Sequence, residues 1–189
     1  MKEIEKELQE SIRVKNALLK EGIPVIRKIA QAMLGCLQSG KTVYLLGNGG
    51  SAADAQHIAG EMIGRFKKDR RALPVLALTT DSSVLTAIAN DYGFDSCFEK
   101  QVEACVREGD VVIGLSTSGN SRGVLKALLL AKERGATTIG LTGQEGGELK
   151  KLVDICLKVP SKNTPRIQEC HITVGHILCS IVEKELFGE

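Results

Sequence analysis

The chain contains no tryptophan, and aromatic residues make up only 3% of its 189 positions. A platform for stacking nucleic-acid bases is therefore not expected. A basic stripe is missing as well. Twenty-five Lys and Arg stand against 23 Asp and Glu, a net charge of +2 with no block of one sign. That balance gives no reason to expect nonspecific nucleic-acid binding. The six cysteines (36, 97, 105, 156, 170 and 179) form no Cys-x-x-Cys pair, and most lie in apolar runs. This is the pattern of reduced structural thiols. No apolar run approaches the roughly 20 residues that span a bilayer. The charged opening MKEIEKELQE has no secretory core. These absences lead to the expectation of a cytoplasmic protein with no membrane and no nucleic-acid partner. No linker or low-complexity stretch divides the chain, so residues 1–189 are expected to form one domain.

What is present is a change of pattern near residue 40. Before it lie two helical segments, 2–20 and 24–38, interrupted at Gly22 and Pro24 and stopped at Ser39-Gly40. Ile4, Leu8, Ile12 and Leu19 recur near helical spacing in the first. This segment, 1–39, is expected to serve oligomerisation. After it come five short apolar runs, at 42–46, 73–78, 110–115, 137–141 and 153–159. Helical segments separate them, at 52–65, 82–89, 96–107, 121–134 and 146–152, and a last helix covers 165–187. Continuous apolar strands alternating with helices predict an α/β fold: a five-stranded parallel sheet covered on both faces over residues 40–189.

Two strand ends look alike. VYLLGNGGSAADA and IGLSTSGNSRGV each run from a strand through small polar residues into a helix start. Both should lie at the carboxyl edge of the sheet, where open α/β folds bind ligands. Gly47 to Ala52 formally fits the dinucleotide pattern G-x-G-x-x-A. However, no acidic residue ends the second strand, where a ribose partner belongs. A Walker loop is excluded because no Gly-Lys-Ser/Thr follows. The second loop, Ser116-Thr117-Ser118-Gly119-Asn120-Ser121, offers four hydroxyls at a helix start. Unpaired N–H groups, the helix dipole and neutral hydroxyl donors make a cradle for a compact dianion without lysine. One serine acting only as an N-cap is the simpler alternative.

His57 and Glu61 stand four residues apart and share a helix face. An imidazole and a carboxylate so placed could bind a metal, pass a proton or make an exposed contact. The last helix carries Gln168, Glu169, His171 and His176. Gln168 and His176 lie on similar sides of it but about 12 Å apart along the axis, so one metal would join both only by reaching. Asn90-Asp91 follows a short helix and reads first as a cap and turn. Asp54 and Asp81 read as helix caps, and Arg65 as a surface or interface residue.

Together, LLGNGGSAADAQH, LSTSGNS, TTDSSVLTAIANDYGF and TPRIQECHITVGHILC resemble the sugar-isomerase (SIS) domain family. Within it they look like the phosphoheptose isomerases, over nearly the whole chain. The resemblance implies interconversion of sedoheptulose 7-phosphate and D-glycero-D-manno-heptose 7-phosphate, the first step toward activated heptose precursors. It also implies a homotetramer with active sites at subunit contacts. His57, Glu61, Gln168 and His176 match a zinc site with one Zn²⁺ per subunit. Glu61 and His176 match the base and acid. The implied substrate-binding set is Asn48, Gly49, Gly50, Ser51, Glu61, Asn90, Asp91, Ser116, Thr117, Ser118, Ser121 and Gln168. His171 matches no ligand and is read as structural. Pro165 stands where many relatives carry an acid, so no accessory acid role is carried over there. Gln168 and His176 are expected to meet His57 and Glu61 across subunits. A noncatalytic phosphosugar-binding or replication-initiator-associating SIS module is the alternative reading.

Overall fold

The computed structural model describes residues 1–188. Two helices, α1 (Lys2–Glu21) and α2 (Ile23–Gln38), precede the sheet. The chain then runs β1 (Val43–Gly47), α3 (Gly50–Ile63), β2 (Val75–Ala77), α4 (Ser82–Tyr92), a 3-10 turn at Phe94–Ser96 and α5 (Cys97–Cys105). It continues through β3 (Val111–Ser116), α6 (Arg122–Glu133), β4 (Thr137–Thr142), α7 (Leu149–Leu152), β5 (Ile155–Lys158) and α8 (Thr164–Phe187). All strand pairs are parallel, in the order β2-β1-β3-β4-β5. The expected three-layer α/β architecture is thus observed.

Strand alternation builds two cores. Val43, Leu45, Val111, Ile113, Ile139 and Leu141 face one cluster, formed with α1, α2, α3 and α8. Tyr44, Leu46 and Val112 face the other, where Phe98, Val102, Val124, Leu128 and Leu149 come from α5, α6 and α7. Both faces of β1 carry apolar residues and both faces of β3 do so at Val111–Ile113, whereas the second face of β4 is Thr138, Gly140 and Thr142, buried all the same. Four of the six free cysteines are buried within these layers. No helix among the described residues is long and apolar enough to cross a membrane.

Several boundaries differ from the sequence reading for local reasons. The helix expected at 146–152 is a single turn, Leu149–Leu152. Gly146 and Gly147 before it have φ of 74° and 55°, which a right-handed helix cannot accept. The strand expected at 73–78 shrinks to Val75–Ala77, because Pro74 has no N–H for the ladder. The strand expected at 153–159 shortens to Ile155–Lys158. The helix expected at 82–89 runs on to Tyr92, so Asn90 and Asp91 lie in its last turn and not beyond it. Gly93, with φ 87°, ends it. The helix expected at 52–65 spans Gly50–Ile63.

His171 lies inside the layer beneath the sheet's carboxyl edge. It is fully buried, its Nε2 sits 3.3 Å from the Thr142 carbonyl oxygen, and its Nδ1 has no partner. Burial pushes its pKa down to about 4, the Thr142 contact opposing weakly. The folded protein therefore holds this ring neutral, as its structural assignment implies. An unfolded chain takes up the proton near the ordinary value of ~6.5. Stability contributed by neutral His171 is thus complete above pH ~6.5 and lost as pH falls toward 4, by about 3 kcal/mol in total. Urea unfolding at a series of pH values should show this decline. A His171→Gln variant should show a flatter profile over the same window, and parallel profiles would refute the assignment.

Candidate active site

The sheet order reverses direction between β1 and β3, and their paired ends, Gly47 beside Leu115, open a crevice at the carboxyl edge. The two polar loops flank it. Gly47 must be glycine: a Cβ there would fall 2.9 Å from the Ser51 Cβ and 3.0 Å from the Leu115 carbonyl oxygen. This close approach seats the start of α3 on the strand ends. Ser51 is buried at that junction, while Asn48, Gly49 and Gly50 are exposed.

The β3–α6 loop is held from within and from one side. The Ser118 Oγ accepts the Asn120 N–H at 3.1 Å, and the buried Ser116 Oγ faces the Ser121 N–H at 3.5 Å. Asn120 Oδ1 accepts the Glu148 N–H at 3.0 Å, and the Gly119 carbonyl accepts the Leu149 N–H at 3.0 Å. Gly119 has φ 68°, and a Cβ there would run into the Gly146 carbonyl. The Thr117 carbonyl accepts the Gly143 N–H at 3.0 Å. Ser121 stands at the N-cap position of α6 but does not cap it. Its Oγ instead accepts from Asn48 Nδ2 at 2.9 Å, which joins the two loops across the crevice. Uncapped N–H groups at the start of α6, with Thr117, Ser118 and Ser121 around them, remain available to an anion.

The titratable residues gather farther along α3. The His57 Nε2 lies 3.2 Å from Glu61 Oε1 and 2.9 Å from the His176 Nε2. One donor atom from each of the three residues lies within 4.8 Å of the others. Gly175, adjacent to His176, leaves room for Ile58 of α3: a Cβ there would lie 2.6 Å from Ile58 Cδ1, so the isoleucine side chain packs directly on the α8 backbone. The pairs Gly50–Gln168, Ile58–Gly175 and His57–His176 advance together along both helices, which therefore run side by side in one direction. The meeting of His57, Glu61 and His176 takes place within one chain. The sequence reading expects His176 to meet His57 and Glu61 across subunits; within this chain the three already lie together.

Gln168 is placed differently. Its amide lies against Gly50, where a Cβ would be 2.6 Å from Nε2. Eight residues separate it from His176, about 12 Å along the helix. Three of the four residues read as metal ligands are thus brought together, and Gln168 lies toward the glycine turn. Asn90 and Asp91 bond to each other, Nδ2 to Oδ1 at 2.8 Å, and make no hydrogen bond to the loops or to the histidines among the described residues. Asp81 caps α4 as expected, accepting the Val84 N–H at 3.0 Å. Arg65 is exposed.

Asp54 corrects the sequence reading. It caps nothing: α3 has no side-chain cap, and the buried Asp54 Oδ2 has no partner. Burial pushes its carboxyl up to about 6, with the His57 charge opposing. It lies one turn before His57, a spacing that could have marked it. Phe66 was also missed. Its ring stacks on His176 with centroids 5.9 Å apart and planes 22° apart. No sequence signal singles out this contact, because Phe66 lies in the connection after α3.

Comparison with known proteins identifies the family. The SIS domain family matches residues 8–143. A phosphoheptose isomerase of Geobacter sulfurreducens is 56% identical over 185 residues, covering 98% of each chain. Among solved structures, a phosphoheptose isomerase from Neisseria gonorrhoeae superposes with a TM-score of 0.92 at 45% identity, covering 97% of this chain and 98% of that one. One from Francisella tularensis gives 0.94 at 38% identity, covering 97% of both. With its SIS fold, paired loops and His–Glu–His cluster, the chain belongs to the phosphoheptose isomerase family of SIS-domain proteins.

Proposed function

We propose that this protein is an aldose–ketose isomerase acting on sedoheptulose 7-phosphate to give D-glycero-D-manno-heptose 7-phosphate, at the start of heptose precursor synthesis. The observation that carries the reading is the carboxylate–imidazole cluster on α3 and α8, with the start of α3 joined by Asn48 to the hydroxyl-rich loop before α6. A module that only bound phosphosugars would need the loops but not three converging titratable groups. In this reading Ser51, Ser116, Thr117, Ser118 and Ser121 hold or support the phosphate end. Asn48, Gly49, Gly50, Asn90 and Asp91 bind the sugar chain. Glu61 removes the C1 proton of the ketose and returns it at C2, through an enediol. His176 moves a proton between the C1 and C2 oxygens.

The donor set fits a zinc ion. Two imidazoles and a carboxylate suit Zn²⁺, and one donor atom from each of the three residues lies within 4.8 Å of the others. His57, Glu61 and His176 would hold the ion, with Gln168 the fourth residue of the family pattern. When bound, zinc supplies Lewis-acid polarisation of the substrate oxygens. The six free cysteines are consistent with a reducing, cytoplasmic setting.

Self-association as a homotetramer belongs to the same proposal. Ile4, Leu8, Ile12 and Leu19 of α1 are each about 60% exposed or more, whereas Val14 and Leu18 are buried against the core. An apolar stripe left open on a helix otherwise docked to the body fits contact with a second copy of the chain. Replacing Leu8 and Ile12 together with glutamate should shift the particle mass measured by light scattering to a smaller species. An unchanged mass would remove α1 from the interface.

Glu61→Gln keeps the side-chain shape but removes the proton acceptor. Turnover should fall by about 10²–10⁴-fold. Exchange of solvent deuterium into the sugar at C1 or C2 should vanish, while phosphosugar binding persists. Near-parent turnover in this variant would end the base assignment. In the parent, metal analysis should find about one zinc per chain, and His57→Ala should lose it. A metal-free parent prepared without chelators would refute the zinc site.

A further inference from the structure

The connection between α3 and β2 contains an arginine that solvent does not reach. Arg70 is 2% exposed at its side chain, and its partner Glu183, on α8, is 3% exposed. The Arg70 guanidinium is almost fully used. Its Nε donates to Glu183 Oε1 at 3.2 Å, and its Nη2 donates to the Glu61 carbonyl oxygen at 2.9 Å. Its Nη1 donates to the carbonyls of Met62 at 2.8 Å and Gly64 at 3.0 Å. Glu183 answers with its second oxygen, which accepts the N–H groups of Lys67 at 2.9 Å and Lys68 at 3.2 Å. A helix leaves its last carbonyls unpaired. Here one planar cation from beyond the helix satisfies two carbonyls of α3's final turn, where a cation also complements the helix dipole.

The position of this pair is the point. Glu183 lies seven residues after His176, two turns along the same face of α8 and roughly 10 Å away. Arg70 grips the peptide of Glu61 itself. The pair thus ties the end of α3, which carries Glu61, to the stretch of α8 that follows His176. Between the two grips the chain passes over the site as Phe66. That ring stacks on His176, and the Lys67 ammonium lies 5.3 Å from the centroid of the same ring while donating to Ser180 Oγ of α8 at 3.1 Å. A buried ion pair is weak evidence of stability, since apolar replacements are often as stable. What it supplies is fixed direction, through five donors in a rigid fork.

We propose that residues 64–70 form a positioning clamp for the reaction centre. The Arg70–Glu183 pair sets the Glu61 carboxylate through its backbone, and Phe66 sets the plane of the His176 ring. Arg70, Glu183 and Phe66 are positioning residues and do not touch the substrate. The proposal rests on Glu61 and His176 being the proton-moving pair.

The test compares Phe66→Leu, Phe66→Tyr and Arg70→Lys with the parent, with Glu61→Gln run alongside. Three quantities are read on each: kcat and KM for sedoheptulose 7-phosphate, zinc affinity by competition with a chromophoric chelator, and the thermal midpoint. Phe66→Leu and Arg70→Lys should lower kcat by about tenfold or more and weaken zinc about tenfold, as loss of groups that orient metal ligands does. KM should stay within about twofold, because the phosphate loops are untouched. Phe66→Tyr, which keeps the ring, should restore kcat and zinc affinity. Parent kcat and zinc affinity in a folded Phe66→Leu protein would overturn the proposal. So would an Arg70→Lys protein whose kcat returns to the parent value well below its melting temperature, since that is simple helix capping. If Arg70→Lys does not fold, the Phe66 pair decides. Parent turnover in Glu61→Gln would instead mark failure of the base assignment, and the zinc affinities would still judge the clamp.

Discussion

The site depends on one close contact, between Gly175 of α8 and Ile58 of α3. A helix pair ordinarily packs with axes 8–10 Å apart, the distance set by the side chains at the crossing. Glycine at that crossing lets the isoleucine side chain rest on bare backbone. The neighbours of the two contact residues are His57 and His176, so the same approach that packs the layer brings two imidazoles together at 2.9 Å. Packing and chemistry are therefore the same constraint. A larger residue at 175 would add volume where the Ile58 side chain now rests, next to the two imidazoles.

The two ends of the site are made of different materials. The end proposed to take the phosphate is backbone and hydroxyl, anchored to the ends of β1 and β3 and braced by the glycine-rich turn before α7, with Lys162 lining the same pocket as Thr117 and Ser118. The end proposed to react is made of side chains on two helices, with a carboxylate and two imidazoles whose donor atoms lie within 4.8 Å of one another. The crevice lies at the strand-order reversal, where the loops after β1 and β3 part.

Burial sorts the remaining polar groups. His171 lies inside the same helix as His176, five residues earlier, yet it is sealed and neutral against Thr142. Asp54 stands one turn before His57 and holds an unpartnered buried oxygen. Equivalent side chains a turn apart thus belong to different environments, and residue type alone does not distinguish them.

The order of strands and helices was legible from sequence because the central parallel strands are short runs of mostly apolar, buried residues, and the segments between them repeat at helical spacing. The two loops were legible because small polar residues directly after such strands have few other uses. His57 and Glu61 were legible as a pair because four residues make one helical turn. Boundaries failed where glycine dihedrals decided them, at Gly146-Gly147, or where proline lacks a ladder donor, at Pro74. The joining of His57 to His176, the displacement of Gln168 toward Gly50 and the grip of Arg70 on Glu61 were decided only by tertiary structure. Each involves residues far apart in the chain, and the helical period of α8 places Gln168, His176 and Glu183 near one face without saying what lies opposite. That partner is set by which helix packs there and how closely, a property of the folded layer and not of any local run of residues.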